Sequence, residues 1–428
     1  MNIELINTGS ELMLGRVLNT HQQWLCRQFA DRGYEVSRQV AVADGAQDIQ
    51  NAVREALRHA DLVVVTGGLG PTCDDLTREL IAQLLGRTLH HDPSIELSIR
   101  NFFESRGRNV PVRTRVETLV PEGARVLPNR HGTAPGLALV VDPNPFREDR
   151  QRSVLILLPG PPRELRPLFV EQVVPLVTEF FPQKSAFVCR TLKTTGLGES
   201  NMEERLTGPL KHLTDDGLDL GFCARVGEVD VRFVARGDSA AAKVAEAERI
   251  TQKLAGTHIF GEDDELLESV VVKALGQRRL TLALAESCTG GHIANRITNI
   301  PGASAVLLAG YVTYANSAKI QSLGVSPETL AKYGAVSEAT AREMAEGARR
   351  MSGADWAIAV TGIAGPDGGT AEKPVGTVFI GWAGPTGTFV RRELNIFDRE
   401  TFKYLTAQQA LHGLLQAVQS CSGDEPRG

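Results

Sequence analysis

The chain has 428 residues, of which 42% are hydrophobic and 23% charged, and a formal net charge of −5. This length predicts two or three domains, and the hydrophobic content excludes wholesale disorder. The acidic balance argues against a dedicated nucleic-acid-binding surface and a polybasic membrane anchor. We expect a cytoplasmic protein, because the sequence has no membrane-spanning run, no signal-peptide pattern and no CxxC pair among its six cysteines.

Residues 1–172 alternate between strand and helix patterns. The run DLVVVTGG is rich in β-branched residues, which is typical of a parallel strand buried on both faces. Strands that alternate with amphipathic helices predict an α/β sandwich with right-handed crossovers. We therefore predict a first α/β domain over residues 1–172.

Two further domains follow in the sequence. Residues 173–262 read as strand, helix, two strands and helix, which predicts a small α+β domain. Residues 263–421 return to an α/β pattern. The polar segment 422–428 is expected to be disordered.

A glycine-rich loop, TGGLGPTCDDLT, directly follows the buried strand of the first domain. Ligands of α/β sheets bind at the carboxyl ends of the strands, and glycines let the backbone approach a phosphate; here these are Gly67, Gly68 and Gly70. We expect Thr72 to cap the next helix, and Asp74 or Asp75 to reach a divalent cation between phosphates. Alternatively, the two acids only favour the helix dipole. The loop TGSELMLG offers Glu11 to the same cleft.

The last domain contains AESCTGG at the end of another buried strand, where a nucleophile would point out of the sheet. Two nucleophiles compete. Cys288 has His292 four residues later, which would form a Cys–His pair. Ser287 needs a distant base, and Lys319 in YANSAK could supply one if an apolar pocket removed its proton. Taken singly, these residues also fit a helix cap, a buried small side chain and a solvated lysine.

Taken together, these motifs resemble the CinA family over nearly the whole chain. TGSEL, TGGLGPTCDDLT, HGTAPG and LPGPPREL resemble its N-terminal domain, and AESCTGG, YVTYANSAK, AVTGIAGPDGG and KPVGTV its C-terminal domain. The resemblance implies an α/β fold with a three-layer molybdopterin-binding-like domain, a small KH-like α+β domain and a C-terminal α/β amidase domain.

For the C-terminal domain, the resemblance implies hydrolysis of nicotinamide mononucleotide to nicotinate mononucleotide and ammonia without a cofactor. Ser287 would be the nucleophile and Lys319 its base, with Tyr314 and Thr361 assisting. The residues that would bind the substrate are Thr289, Gly290, Gly291, Asn316, Gly362, Gly365 and Arg399.

For the N-terminal domain, the resemblance implies hydrolysis of ADP-ribose with potassium and a divalent metal, cobalt or magnesium, held by Asp74 and Asp75. The expected nucleotide site comprises Glu11, Gly67, Gly68, Gly70, Thr72 and Asp75. One departure stands out: where relatives read DTN, this chain has Asn19, Thr20 and His21.

The remaining predictions concern an alternative function, the oligomeric state and nucleic acid. The lost carboxylate keeps open an alternative function, a nucleotide- or pterin-binding regulatory protein with an inactive N-terminal domain. The resemblance also implies a homodimer. No GxxG loop lies between helices of the middle domain, which argues against contact with nucleic acid.

Overall fold

The computed structural model describes residues 1–420, which fall into two compact units, Met1–Phe187 and the chain from Val188 onward. The tail expected to be disordered, residues 422–428, lies outside the described residues. Within the described part, no helix is long and apolar enough to cross a bilayer.

The first unit is built on a six-stranded sheet and a separate two-stranded ladder. Its strands are β1 (Ile3–Thr8), β2 (Val36–Val42), β3 (Leu62–Thr66), β4 (Leu89–His91), β5 (Leu119–Pro121), β6 (Arg125–Leu127), β7 (Gly136–Val141) and β8 (Ser153–Leu158). The main sheet has the order β2–β1–β3–β8–β7–β6, and β4 pairs with β5. Strands β2, β1, β3 and β8 run parallel, whereas β7 and β6 are added antiparallel.

Helices cover both faces of this sheet. They are α1 (Ser10–Met13), α2 (Thr20–Ala30), α3 (Ala46–Leu57), α4 (Thr77–Leu84), α5 (Pro93–Glu104), α6 (Pro162–Leu168) and α7 (Val174–Phe180). Strand β3 is buried on both sides: Val63 and Val65 enter one hydrophobic core, and Leu62 and Val64 enter the other. Because successive strand residues point to opposite faces, this continuous apolar run is what a central parallel strand requires.

The second unit begins with a small four-stranded sheet, in the order β10–β11–β9–β12, and two helices. Its elements are β9 (Phe187–Thr195), α8 (Glu199–Asp215), β10 (Asp219–Arg225), β11 (Glu228–Arg236), α9 (Ala240–Ala255) and β12 (Ile259–Glu262). Strands β10 and β11 form a hairpin. The predicted order of strand, helix, two strands and helix is observed, and β12 is a fourth strand that the prediction did not include.

The rest of the second unit is an α/β layer structure. It contains α10 (Leu267–Gln277), β13 (Leu282–Glu286), α11 (His292–Thr298), β14 (Leu307–Val312), α12 (Asn316–Leu323), α13 (Pro327–Tyr333), α14 (Glu338–Ser352), β15 (Trp356–Gly362), β16 (Thr377–Gly384), β17 (Gly387–Leu394) and α15 (Arg399–Ser420). The sheet order is β14–β13–β15–β16–β17, with β14, β13 and β15 parallel. The carboxyl ends of these three strands therefore lie at one edge of the sheet.

The two faces of β13 differ in side-chain size. Leu282 and Leu284 enter the large core on one side, while Ala283 and Ala285 lie in the smaller core that includes residues of α14. Small side chains on that face allow a helix to pack closely against the sheet. Strand β13 is thus fully buried along its length.

Candidate functional site

A serine and a lysine meet at the carboxyl ends of two neighbouring parallel strands. Ser287 directly follows β13, and Lys319 lies one turn into α12, the helix after β14. The Thr313 amide donates to the Glu286 carbonyl at 2.9 Å, which ties the two strand ends together. As a result, the Lys319 Nζ atom lies 3.1 Å from the Ser287 Oγ atom, although 32 residues separate them in sequence.

The Lys319 amine is enclosed by protein. Its side chain is 1% exposed, and besides Ser287 it contacts the carbonyl oxygens of Thr313 at 2.7 Å and Tyr314 at 3.1 Å. Burial lowers the pKa of Lys319 from its usual value because desolvation penalises the ammonium form. A neutral amine in this position can donate to both carbonyls and keep its lone pair for the Ser287 hydroxyl proton.

Glu286, which the sequence analysis did not single out, organises the turn after the serine. Its carboxylate accepts hydrogen bonds from the Thr289 hydroxyl (2.7 Å) and from the amides of Gly291 (3.0 Å), Ile293 (3.1 Å) and Ala294 (2.8 Å). The last two amides belong to the first turn of α11, where a carboxylate is favoured. Its position at the end of an apolar strand, immediately before the nucleophile, was the available sequence signal.

The turn itself depends on glycine. Gly290 and Gly291 have φ of +61° and +93°, in the left-handed region that glycine adopts without strain. This conformation explains why the motif contains two consecutive glycines before α11 begins at His292.

The competing cysteine lies in an unsuitable environment for a nucleophile. Cys288 is buried, and desolvation raises the pKa of its thiol to about 12. The Nε2 atom of His292 is buried without a hydrogen-bond partner among the described residues, so that nitrogen does not hold the thiol. Burial also lowers the pKa of His292. The geometry therefore favours Ser287 over the Cys288–His292 pair.

Tyr314 and Arg399 stand together at the rim of the site. The Tyr314 side chain is 61% exposed, and its hydroxyl accepts a hydrogen bond from the Arg399 Nη2 at 2.8 Å. The Arg399 Nη1 donates to the Gly365 carbonyl at 2.9 Å. Three residues predicted to assist or bind substrate are thus joined by direct contacts.

The other predicted substrate contacts occupy different positions. Thr361 is buried and donates to the Ala335 carbonyl at 2.7 Å, while the Thr289 hydroxyl is committed to Glu286. Both hydroxyls are therefore engaged within the protein. Gly362 ends β15, and Asn316 begins α12 with its side chain exposed.

A cavity of 720 Å³ lies beside this rim, within the size range of small-molecule sites. Its lining includes three cationic side chains, those of Arg225, Arg399 and Lys403, and one carboxylate, that of Glu400. The remaining lining residues are Val226, His292, Thr401 and Tyr404. Such a surface favours an anionic ligand. Arg225 comes from the β10–β11 hairpin and was not predicted from the sequence.

The glycine loops of the first unit enclose a separate cavity of 560 Å³. It brings together most residues predicted for the nucleotide and metal sites, namely Glu11, Gly67, Gly68, Gly70, Asp74 and Asp75. At Gly68, which has φ +68°, a Cβ atom would lie 2.1 Å from the Thr77 Oγ1. Only glycine fits this position of the loop.

The prediction that Thr72 caps the following helix is wrong. Helix α4 begins only at Thr77, after the irregular residues that follow the glycine loop, and it has no side-chain cap. Instead, the Thr72 amide (2.9 Å) and hydroxyl (2.5 Å) donate to the Asp75 Oδ2, and Thr72 is not among the cavity-lining residues. The hydrogen bonds between Thr72 and Asp75 stabilise this irregular segment and compete with helix formation.

Asn19 and His21, which differ from the DTN sequence of relatives, both make specific contacts in the first unit. The Asn19 side chain accepts from the Gln22 amide at 3.2 Å and caps α2, and a His21 ring nitrogen contacts the Gly160 carbonyl. Both residues line the cavity. Burial lowers the pKa of His21 and favours its neutral form.

Two buried carboxyl groups that the sequence analysis missed also line this cavity, Glu117 and Glu164. Desolvation raises the pKa of Glu117 to about 7 and is opposed by a hydrogen bond from Thr133 and by the charge of Arg78. The Glu117 Oε2 atom has no hydrogen-bond partner among the described residues. Their spacing in sequence gives no hint that these acids meet.

The predicted metal site lacks a full set of protein ligands. Across residues 1–420, no group of three His, Cys, Asp or Glu side chains is placed to hold a metal ion. A cation near Asp74 and Asp75 would therefore take most of its ligands from phosphate oxygens and water, which is how proteins commonly hold Mg²⁺ beside nucleotides.

Three family models match consecutive parts of the chain. They are described as a probable molybdopterin binding domain (residues 4–179), a damage-inducible protein CinA KH domain (189–261) and a CinA C-terminal domain (264–418). A CinA-like protein of Akkermansia muciniphila is 44% identical to this chain, over 97% of each sequence.

The chain belongs to the CinA family. A CinA-like protein of Anaeromyxobacter dehalogenans is 41% identical over 98% of this chain and 100% of its own length. Among solved structures, competence/damage inducible protein CihA from Agrobacterium tumefaciens is 43% identical over 36% of this chain and 93% of its own, with a TM-score of 0.35. The predicted family and fold class are confirmed. The exact domain boundaries stay predictions.

Proposed function

We propose that the CinA C-terminal domain hydrolyses the carboxamide of nicotinamide mononucleotide to the carboxylate and ammonia. The observation that carries this proposal is the 3.1 Å contact between the Ser287 hydroxyl and a buried lysine amine. The basic cavity beside Tyr314 and Arg399 supports a substrate that carries a phosphate. A Ser–Lys pair is one of the known ways to activate a serine for acyl transfer.

The proposed reaction has two stages. In the first, the Ser287 Oγ attacks the carboxamide carbon while its proton moves to the Lys319 Nζ, and the C–N bond then breaks as that proton passes to the departing ammonia. In the second, water attacks the acyl-enzyme, Lys319 accepts a proton from the water, and the proton returns to Ser287. The sum is amide plus water giving acid plus ammonia.

The direct test is ammonia release from nicotinamide mononucleotide by the purified Ser287→Ala variant. We expect a loss of about 10³-fold or more, because no other hydroxyl replaces the attacking group. The matched control is Cys288→Ala, the adjacent position, which should retain activity. Normal turnover by the serine variant would refute the proposal, and a loss confined to Cys288→Ala would restore the Cys–His alternative.

A second candidate function concerns the cavity of the first unit, which we propose binds ADP-ribose. The glycine loop and its flanking acids suit phosphates bridged by a cation, cobalt or magnesium, which when bound would neutralise charge and activate water. In this proposal Asp74 and Asp75 hold the divalent ion, and potassium assists. Because Asn19 replaces a carboxylate, binding without cleavage is the regulatory alternative.

Calorimetry with ADP-ribose, with and without each divalent ion, separates these two outcomes when combined with analysis of the products. We expect binding to tighten at least about tenfold with the ion, because the cation bridges phosphate and carboxylate oxygens. The double variant Asp74→Asn, Asp75→Asn removes the proposed metal ligands, so its binding of ADP-ribose should no longer depend on the ion. Binding without AMP release would leave the regulatory function, and no binding under any condition would exclude ADP-ribose as the ligand of this cavity.

A further inference from the structure

The β10–β11 hairpin of the KH-like domain reaches the basic cavity of the C-terminal domain. Arg225, the last residue of β10, and Val226 in the turn form part of its lining, opposite residues at the start of α15. Arg225 lies outside the segment matched by the CinA C-terminal model. The cavity is therefore completed by a second domain of the same unit.

The Arg225 side chain is held in place by an ion pair with a buried carboxylate. Its guanidinium pairs with Asp230, whose side chain is 9% exposed and also contacts the Lys193 Nζ at 2.5 Å. Arg225 itself remains 42% exposed. The pair with Asp230 uses the Nη2 group of Arg225. Because a guanidinium has five N–H donors, Arg225 keeps donors for an anion in the cavity.

A chain of polar contacts fixes the hairpin to the helix that carries the other two cations. Glu228 of β11 accepts from the Gln408 Nε2 at 2.9 Å, and the Gln408 Oε1 accepts from Arg296 at 2.7 Å. Arg296 also pairs with Glu268 at 2.6 Å. Gln408 belongs to α15, whose first residues include the cavity-lining Arg399 and Lys403. Preorganised charges of this kind bind an anion at lower entropic cost.

We propose that Arg225 of the KH-like domain, together with Lys403, forms an anion site for the phosphate of the substrate of Ser287. The inference rests on the proposed amidase function. The cavity is connected to Lys319 through Tyr314, whose hydroxyl accepts from Arg399 and whose carbonyl contacts the Lys319 amine. The KH-like domain then acts as a specificity element that distinguishes phosphorylated substrates from the corresponding nucleosides. Glu400, the carboxylate in the lining, reduces the net positive charge of the cavity.

The test uses Arg225→Ala in the full-length chain, with Arg232→Ala as its matched control. Both arginines lie on the same hairpin, are about 40% exposed and pair with an aspartate, but Arg232 pairs with Asp219 and does not line the cavity. We expect Arg225→Ala to raise KM for nicotinamide mononucleotide about tenfold and to lower its kcat/KM relative to nicotinamide riboside by a similar factor. Arg225→Lys should restore part of this preference.

A binding measurement separates this inference from the proposed reaction. Ribose 5-phosphate is titrated calorimetrically into Ser287→Ala and into Ser287→Ala with Arg225→Ala. Weaker binding in the double variant supports the anion site even if neither substrate is hydrolysed by the parent chain, a result that would reject only the amidase. Equal affinity in the two variants, no binding by Ser287→Ala, or an equal effect of Arg232→Ala would overturn the inference.

Discussion

Replacing Lys319 with methionine is expected to abolish amide hydrolysis and, at the same time, to stabilise the folded chain. Methionine has nearly the same length and fills the same space, but it cannot accept the Ser287 proton, so kcat should fall by at least about 10²–10⁴-fold. The side chain is fully buried and its pKa is lowered by desolvation, so the native state carries a cost that methionine removes. Loss of function with a gain in melting temperature is expected of a buried active-site group that is kept at a cost in stability.

The pH dependence of this effect has a defined sign. Because the pKa of Lys319 is lower in the folded chain than in the unfolded chain, the unfolded state binds more protons between the two values. The stability of the wild-type chain therefore rises with pH between the two pKa values. Below the folded-state pKa the full cost of burying the ammonium group is present. The stability advantage of Lys319→Met should consequently be largest at low pH and shrink as the pH approaches 10.5, the ordinary pKa of a lysine.

Both predictions are checked with the same purified variants. Ammonia release is measured with saturating nicotinamide mononucleotide, and thermal melts are recorded over a pH series. Lys332→Met is the control, because Lys332 is an exposed lysine of α13 that lies over the Tyr333 ring; it should retain activity and show no comparable gain. An active Lys319→Met variant would contradict the assignment of the base.

The location of the candidate site was predictable because strand ends and glycine turns are local signals. The buried run before Ser287 and the glycines after it define a strand and a turn without any tertiary information. The choice between Ser287 and Cys288 was not predictable from spacing, because it depends on which of the two side chains the distant Lys319 amine contacts. The homodimer and the cytoplasmic location stay predictions.

The features that sequence reasoning missed depend on the folded conformation of irregular turns or on a contact between domains. Glu286 reads as an ordinary strand residue, and its role appears only when the following turn directs its amides at the carboxylate. Arg225 lies in a different domain from the cavity that it lines. Thr72 was given the wrong role because an Asp–Thr turn delays the helix by several residues. In each case a local preference was outweighed by a partner that lies elsewhere or in an unexpected conformation.

Replacing Glu286 with glutamine is expected to destabilise the second unit and to reduce activity in the molecules that remain folded. The carboxylate accepts four hydrogen bonds, three at one oxygen and one at the other. An amide can keep only one of these oxygens as an acceptor, so at least one buried donor faces an NH₂ group. We expect a loss of about 3 kcal/mol in the free energy of unfolding, typical of a lost bond to a buried charged group.

The control for this variant is Glu343→Gln, a second carboxylate that serves the start of a helix in the same unit. Glu343 accepts from the Ser326 amide at 2.7 Å and from the Thr329 hydroxyl, at the beginning of α13. We expect it to lower stability in urea denaturation without changing ammonia release per folded molecule. Glu286→Gln should lower both, because its carboxylate sets the turn that directly follows Ser287. Equal specific activity in the two variants would reduce Glu286 to a structural cap with no positioning role in the reaction.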